Sequence, residues 1–251
     1  MNILFTSLVL LSLIAQIVGS IPVYFYIILA GVYSSLLFYG CYYVGSNFFI
    51  SVICSAQTNK KVIALSFDDG PTTKNTLQIL RILKETNAEA AFFCIGSRIA
   101  QNKAILKQAY DEGHLIGNHT FSHHFWFDMF SADKMLADMQ MMDVAMNSVI
   151  GKTPKLFRPP YGVTNPNLKK AIIQGNYIPV GWSMRSMDTV IKDERKLLNK
   201  VISKIKPGAI FLFHDTSDAT VAVLPAIIKH IKANGYEILR LDKMLNLQAY
   251  A

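Results

Sequence analysis

The stretch Ser66-Phe67-Asp68-Asp69-Gly70-Pro71 directly follows an apolar run from Val62 to Leu65. The apolar run is short and contains β-branched residues, which indicates a buried strand. Asp68 and Asp69 would then lie at the carboxyl end of this strand. Because successive side chains of a strand face opposite sides, the two carboxylates could serve different functions. The alternative is a solvated Asp-Asp-Gly turn, and this stretch alone does not exclude it.

Charge divides the 251-residue chain into two parts. No Asp, Glu, Lys or Arg occurs before Lys60, so the formal net charge of +8 belongs entirely to the remainder. This distribution predicts a membrane anchor, residues 1–59, and a soluble domain, residues 60–251, of a size that a single α/β barrel can have. A positive domain favours anionic partners such as a cell-wall polymer or a lipid headgroup layer. Nucleic acid is not expected, because no Arg/Lys cluster is interleaved with aromatic residues. No obligate protein partner is predicted.

Two apolar runs lie in the uncharged part, at about residues 3–18 and 23–44. The second meets the length of about 20 residues that a membrane span needs, and tyrosines lie near its ends as in an interfacial aromatic belt. The first is marginal in length, and it lacks the positively charged region that begins a cleavable signal peptide. We therefore expect one or two transmembrane helices. Lys60 and Lys61 do not settle the orientation, because long domains are translocated largely regardless of charge.

Beyond Lys61, short apolar runs alternate with helical patterns. The predicted strands are Val62–Leu65, Ala90–Ile95, Leu115–Gly117, Leu156–Phe157, Tyr177–Ser183, Gly208–Phe213 and Tyr236–Leu239. The predicted helices are Asn75–Glu85, Arg98–Glu112, a long helix from the N-cap Ser131 towards Gly151, Pro166–Gln174, Glu194–Ile205 and Val221–Ala233. Repeated strand–helix units favour a parallel sheet, open or closed into a barrel. In such folds the chemistry collects at the carboxyl ends of the strands.

Titratable residues recur where the predicted strands end. In chain order they are Asp68-Asp69, His119 with His123, Arg158 with Tyr161, Asp188, and His214-Asp215. The two histidines have three residues between them, a spacing typical of imidazoles that share a metal ion, although such pairs also arise by chance. With a carboxylate from another strand end they would form a set suited to zinc or a similar divalent ion. The three well-separated cysteines indicate buried thiols and not ligands.

Four short motifs make residues 61–245 resemble the polysaccharide deacetylase family, the NodB-homology domain of carbohydrate esterase family four. In the family's order they are Ser66–Pro71, His119-Thr120-Phe121-Ser122-His123, Arg158-Pro159-Pro160-Tyr161 and Leu212-Phe213-His214. The resemblance implies a distorted (β/α) barrel that removes acetyl groups, usually from N-acetylglucosamine in a polymer. The expected substrate is therefore a cell-envelope polysaccharide such as peptidoglycan.

The resemblance also implies the metal ligands and the base. Asp69, His119 and His123 would hold the ion, with zinc as the first choice and cobalt or manganese as alternatives. Asp68 would take a proton from metal-activated water. Arg158 would pair with Asp68 and keep it ionised and oriented.

The remaining roles that the resemblance implies concern the acid, the oxyanion and the substrate. His214 would protonate the leaving amine, with Asp188 as its partner. The backbone N–H of Tyr161 would stabilise the oxyanion. The residues expected to contact the substrate are Pro160, Tyr161, Trp182 and Leu212.

The chain departs from the family's pattern beside these residues. Arg185 replaces an aspartate and Thr189 a tryptophan of the fourth motif, of which Asp188 is kept. His124 replaces a proline and begins the run His124-Phe125-Trp126-Phe127, which is either a sugar-stacking platform or a buried anchor for its loop. The departures concern substrate contacts and not the chemistry.

Two other functions stay open at this point. The anchor and the altered groove residues suggest removal of an acyl or formyl group from a lipid-linked sugar or another small amide. A non-catalytic carbohydrate-binding module would be indicated by loss of Asp68 or His214, and both are present. The family's usual substrates favour a domain on the outer, periplasmic or extracellular, face of the membrane.

Overall fold

The structure, a computed structural model, describes residues 2–19 and 21–251. In this part of the chain eight strands form one parallel sheet. They are β1 (Val62–Asp68), β2 (Ala90–Cys94), β3 (Leu115–Asn118), β4 (Leu156–Phe157), β5 (Ile178–Pro179), β6 (Met184–Arg185), β7 (Ala209–His214) and β8 (Glu237–Ile238). Their order is β5-β4-β3-β2-β1-β7-β6, and β8 pairs with the start of β1. The strand that carries Asp68 therefore lies near the middle of the sheet.

Two helices, α1 (Asn2–Val18) and α2 (Val23–Tyr42), precede the sheet. The helices that follow strands of the sheet are α3 (Asn75–Glu85), α4 (Gly96–Ile99), α5 (Lys103–Asp111), α6 (Ala132–Ile150), α7 (Pro166–Gly175), α8 (Glu194–Ile202), α9 (Asp218–Ala233) and α10 (Leu241–Leu245). The predicted N-cap of α6 is present, because the Ser131 side chain accepts a hydrogen bond from Lys134 N. The α/β prediction, a distorted barrel of strand–helix units, is confirmed as a curved parallel half-barrel.

The alternation of side chains along β1 explains where the site forms. Ile63, Leu65 and Phe67 belong to the core packed beneath α3 and α9. The other side of the strand carries Ala64, Ser66 and Asp68, and Ala64 packs in the inner core of the barrel. Because strand side chains alternate, Asp68 faces the interior of the half-barrel at its carboxyl end.

Residues 53–56 connect the edge strand β5 with the start of β7. Ile53 N donates to Pro179 O at 3.1 Å in β5, and Ala56 N donates to Gly208 O at 2.8 Å just before β7. Val44 and Val52 are each 5% exposed and pack in a core cluster with α6 and α7. Residues 44–56 thus pack against the wall of the barrel. From their lack of charge they were expected to belong to the anchor.

The N-terminal helices are apolar and largely exposed. Of the described helices, α2 is the one long and apolar enough to cross a membrane, whereas the apolar stretch of α1, Phe5–Ile17, is shorter. The two helices contact each other, with the Phe5 and Tyr33 rings stacked at a centroid distance of 3.8 Å. Thr164 ties the end of α2 to the domain, since its N donates to Cys41 O at 2.9 Å and its Oγ1 to Gly40 O at 3.1 Å.

Two predicted elements differ from the observed ones. The helix predicted over Arg98–Glu112 is broken into α4 and α5 at Asn102, whose φ of −129° is not helical. The strand predicted over Tyr177–Ser183 is reduced to β5, since Pro179 lacks an N–H for the ladder and the carbonyls that follow bind a buried side chain. The second interruption lies next to the site described below, because the carbonyls of Val180 and Gly181 bind Arg158.

Candidate active site

Arg158 lies inside the half-barrel with its guanidinium fully buried. Its Nη1 donates to Asp68 Oδ1 at 2.7 Å and to Ser66 Oγ at 2.8 Å. Its Nη2 donates to Gly181 O at 2.9 Å, and its Nε to Val180 O at 3.3 Å. A buried charge is tolerated only when it is paired and hydrogen-bonded, and both conditions hold here. The pairing holds Asp68 in one orientation.

The ligand atoms of Asp69, His119 and His123 all lie within 4.8 Å of one another. Asp69 Oδ1 is 3.6 Å from His119 Nε2 and 3.5 Å from His123 Nε2. Two ligands about 2.1 Å from a tetrahedral ion lie about 3.4 Å apart, so these spacings fit a divalent ion such as zinc. The predicted two-histidine, one-carboxylate set is therefore brought together, although its members come from the ends of two different strands.

The protonation of the two imidazoles also suits metal binding. His119 Nδ1 lies 2.8 Å from Arg158 O. A carbonyl can only accept, so Nδ1 carries the proton and Nε2 presents its lone pair towards Asp69. Burial, and then the neighbouring His119, lower the pKa of His123 to about 4, which keeps that ring neutral at pH 7, as a metal ligand must be.

Positive φ angles bring these ligands together. Asp69, Thr120 and His123 have φ of 81°, 66° and 44°, conformations that non-glycine residues rarely adopt. The conformation of Asp69 is stabilised by Arg98, whose Nη1 donates to Asp69 O at 2.6 Å. The conformation of Thr120 is stabilised by Asn118, whose Oδ1 accepts from Thr120 N at 2.8 Å. Neither Arg98 nor Asn118 was among the predicted site residues, and the one signal in the sequence is that Asn118 directly precedes the motif residue His119.

His214 and Asp188 form the other polar pair of the site. His214 Nδ1 donates to Asp188 Oδ1 at 2.7 Å, and His214 N donates to Oδ2 at 2.7 Å. Ser186 and Thr220 hydroxyls donate to the same carboxylate. Burial alone would lower the pKa of His214, but the hydrogen bond and charge of Asp188 outweigh it, so the pKa is raised. Burial alone would raise the pKa of Asp188, and its hydrogen bonds, led by that of His214, lower it instead.

Tyr161 lies at the mouth of the site in a left-handed conformation, with φ of 59°. Its ring is 4.9 Å from that of His123, edge to face. Among the described residues no acceptor is bonded to the Tyr161 N–H. This amide is free to donate to a ligand, as the predicted oxyanion role requires.

A cavity of about 180 Å³ collects these groups. It is lined by Asp68, Asp69, His119, His123, Pro159, Tyr161, Trp182, Arg185, Thr189, Leu212 and His214. Arg158 and Asp188 lie buried behind it. Of the predicted substrate contacts, Tyr161, Trp182 and Leu212 line the cavity, whereas Pro160 is buried and its neighbour Pro159 lines the wall.

Asp215, next to His214, supports the turn that carries Asp69. Its side chain is fully buried, Thr76 Oγ1 donates to its Oδ2 at 2.6 Å, and burial raises its pKa to about 7. Gly70 packs directly on it, since a Cβ at Gly70 would lie 1.9 Å from Asp215 Oδ2. The motif glycine is thus required by close approach, a role that sequence reasoning missed.

The aromatic run after His123 is divided between the two predicted roles. Phe127 is buried and anchors the loop, while Phe125 and Trp126 are 67% and 59% exposed. The ring of Phe125 lies 6.3 Å from that of Tyr161, at the rim of the cavity. Exposed aromatic rings in this position can stack on a sugar.

The sequence of the chain is similar to those of known deacetylases. The family profile described as polysaccharide deacetylase matches residues 55–179. A peptidoglycan-N-acetylglucosamine deacetylase of Bacillus cereus is 35% identical over 199 residues, which cover 77% of this chain and 92% of that protein. Peptidoglycan-N-acetylglucosamine deacetylase PgdA of Listeria monocytogenes is 32% identical over 203 residues, which cover 80% of this chain but 42% of PgdA, so the match spans less than half of that relative.

A solved structure shows the same fold. The Bc1960 peptidoglycan N-acetylglucosamine deacetylase, in complex with an N-oxidanyl-benzamide, superposes with a TM-score of 0.75 at 31% sequence identity. The match covers 80% of this chain and 95% of that one. On the identity to the Bacillus relative over nearly its whole length, and on the shared fold, the chain belongs to the polysaccharide deacetylase family and is a hydrolase of that family.

Proposed function

We propose that the chain removes acetyl groups from N-acetylated sugars of a cell-wall glycan, with peptidoglycan N-acetylglucosamine as the substrate. One observation carries this proposal: a single cavity is lined by a carboxylate held by a buried arginine, a three-ligand metal set and a histidine paired with a buried aspartate. These are the groups that amide hydrolysis with activated water needs. The names of the relatives support the choice of substrate.

Asp69, His119 and His123 would hold the ion, for which zinc is the first choice. When bound, a divalent ion at this position supplies Lewis acidity, which lowers the pKa of water and polarises the acetyl carbonyl. The chain's own contribution is to present three ligand atoms with the spacing described above, to orient His119 through its Nδ1 hydrogen bond and to keep the His123 imidazole neutral.

Asp68 acts as the base. Its Oδ1 is occupied by Arg158, whereas Oδ2 lies 3.8 Å from His119 Nε2 and is available to accept a proton. Asp68 takes this proton from the attacking water as the water oxygen bonds to the acetyl carbon. The Tyr161 N–H then donates to the carbonyl oxygen, on which negative charge develops.

His214 acts as the acid. Asp188 accepts a hydrogen bond from the Nδ1–H of His214, so Nε2 is the ring nitrogen that exchanges a proton with the substrate. His214 gives its proton to the sugar nitrogen as the carbon–nitrogen bond breaks, and the products are acetate and a free amine. Asp188 stabilises the protonated imidazole and therefore has a positioning role.

We further propose that residues 1–43 anchor the enzyme in a membrane and that the domain lies on the outer face. Support comes from the length and apolar character of α2 and from the location of a cell-wall substrate. Thr164, three residues after Tyr161, is hydrogen-bonded to the end of α2, so the site would lie close to the membrane surface. A reporter fused after Ala251 tests the orientation, and a cytoplasmic reporter signal would contradict it.

The function is tested with the full chain in detergent, stripped of metal and reconstituted with zinc, cobalt or manganese. Acetate release is measured from an N-acetylglucosamine tetramer, from peptidoglycan fragments and from a lipid-linked acetylated sugar. We expect release from the first two only, and a rate lower by about 10²–10⁴ from the D68N variant. Absence of release from both, with metal content verified, would contradict the proposal, and release from the lipid-linked sugar alone would favour the other substrate class.

A further inference from the structure

A second, larger groove lies beside the catalytic cavity. It has a volume of about 800 Å³ and lies between residues 42–57 and the sheet edge formed by β6. Tyr161, Trp182 and Arg185 line both the groove and the catalytic cavity, so the two spaces are adjacent. A chain-like ligand that places an acetyl group in the cavity has this groove as its neighbouring surface.

The groove is positively charged. Among the described residues that line it, Arg185 and Lys206 are cations and none is Asp or Glu. Neither cation has a hydrogen bond or ion pair through its side chain to another described residue. The carboxylates of the adjacent cavity have other partners, since Asp68 binds Arg158 and Asp69 belongs to the metal set. Arg185 is thus an unpaired cation at the junction of the two spaces.

The position of Arg185 suits contact with the sugar chain near the reacting group. In the sheet it pairs with Leu212, two residues before His214. Arg185 is therefore one strand away from His214 and offset from it by two residues along the strand direction. This offset places its backbone roughly 8 Å from the backbone of His214. Its guanidinium lies 5.9 Å from the centre of the Trp182 ring, which limits its orientation.

The ligand chemistry follows from the side chain. A guanidinium presents a planar fork of donors that matches a carboxylate or a phosphate. Lys206 precedes Leu212 by six residues, so it lies up to roughly 20 Å from Arg185 along the strand direction. Two cations on the wall of one groove suit a chain that carries negative charge.

We propose that this groove binds an anionic group, a carboxylate or a phosphate, carried by the acetylated glycan, and that Arg185 contacts it. The inference rests on the proposed deacetylase function and names the substrate class for it. Because Arg185 and Lys206 are the charged residues among the described lining, the groove is expected to favour acidic over neutral glycans.

The test compares kcat/KM of the metal-reconstituted full chain for glycans of equal length. The substrates are a neutral N-acetylglucosamine tetramer, an alternating fragment with free muramic carboxylates, the same fragment with those carboxylates esterified, and the tetramer with a phosphate at its reducing end. We expect one acidic substrate to be favoured about tenfold over its neutral counterpart, the contribution typical of a charge-assisted hydrogen bond. The favoured substrate identifies a carboxylate or a phosphate as the ligand.

The R185Q variant should reduce that preference about tenfold, mainly through KM, and R185K should retain part of it. R195Q is the matched control, since Arg195 is an exposed arginine on α8 outside both spaces. It should leave the ratio unchanged. Equal kcat/KM for acidic and neutral glycans would overturn the inference, and so would an R185Q loss of kcat/KM that is equal for both. In either case, turnover of the neutral tetramer would uphold the deacetylase function. Absence of turnover for all four substrates would overturn both.

Discussion

Arg158 Nη1 lies 2.7 Å from Asp68 Oδ1, and the two side chains are 0% and 4% exposed. Arg158 thereby contacts both the proposed base and the proposed metal ligands. Its guanidinium orients Asp68, and its carbonyl accepts a hydrogen bond from the Nδ1–H of His119. One residue therefore fixes both the proposed base and the tautomer of a proposed metal ligand.

The first prediction concerns stability. R158M should lower the free energy of unfolding by about 3–5 kcal/mol, because it leaves a buried carboxylate without its partner. Denaturant unfolding measures the change, and R195M on the exposed face of α8 should change stability by no more than about 0.5 kcal/mol. The double variant R158M/D68N should lose less than the sum of the single losses, since it removes both charges of the pair. Additive losses would mean that the pair is not coupled.

The two neighbouring aspartates should respond differently to substitution. D69A removes a ligand, so metal content should fall together with turnover. D68N keeps the three ligands, so metal content should stay close to one ion per chain while turnover falls by about 10²–10⁴, the usual contribution of a general base. Elemental analysis of the folded protein and acetate release measure the two quantities. If both variants lose metal equally, the separate roles of Asp68 and Asp69 are wrong.

The Asp188–His214 pair predicts the pH dependence of turnover. An acid must be protonated, so turnover should fall as the pH rises through the pKa of His214, which Asp188 raises. D188N removes that charge, so the alkaline limb of the kcat profile should move to lower pH. S203A, on a surface turn after α8, is the control and should leave the limb in place. An unmoved limb in D188N would show that another group titrates there.

The same pair contributes to stability over a limited pH range. The lowered pKa of Asp188 means that its contribution is present above the unfolded pKa and is lost as the pH falls through the folded pKa. The raised pKa of His214 means that its contribution is present below the unfolded pKa and is lost as the pH rises through the folded pKa. The difference in unfolding free energy between wild type and D188N should therefore be largest between these limits.

Local pattern was sufficient to predict much of the site. The apolar run before Ser66 placed Asp68 at a strand end, and the spacing of His119 and His123 indicated a shared ion. Both signals depend on residues that are close in sequence. The roles of individual motif residues came from the family resemblance and are still proposals, although their side chains lie together around one cavity.

Long-range contacts could not be predicted in this way. Asp215 meets Gly70 across 145 positions of sequence, and no periodicity encodes that contact. Pro179 interrupts a predicted strand where the neighbouring carbonyls turn to Arg158. Residues 44–56 resembled the anchor because an uncharged apolar segment looks the same in a barrel wall as in a membrane, and tertiary packing alone separates the two cases.

The contact between Gly70 and Asp215 gives a double-mutant test. G70A should destabilise the fold by about 1–3 kcal/mol, because its new Cβ would lie 1.9 Å from Asp215 Oδ2. D215A removes the obstructing carboxylate, so the double variant should recover about 0.5–3 kcal/mol relative to additivity. G45A, whose Cβ would have its nearest neighbour at 3.4 Å, is the control for a glycine without a close contact. Strict additivity would exclude the steric explanation.

The position of the domain boundary can be tested with two truncated chains. A fragment of residues 60–251 lacks Val44, Ile50 and Val52, which are buried in the core of the domain, whereas a fragment of residues 44–251 keeps them. Burial of such a side chain contributes about 1.5–3 kcal/mol, so the shorter fragment should lose roughly 5 kcal/mol, comparable to the whole stability of many domains. It also loses the hydrogen bonds of Ile53 and Ala56 that connect β5 with the start of β7. We expect the longer fragment to unfold cooperatively in denaturant and the shorter one to be largely unfolded or aggregated. Equal unfolding midpoints would mean that residues 44–59 belong functionally to the anchor, as their lack of charge suggests.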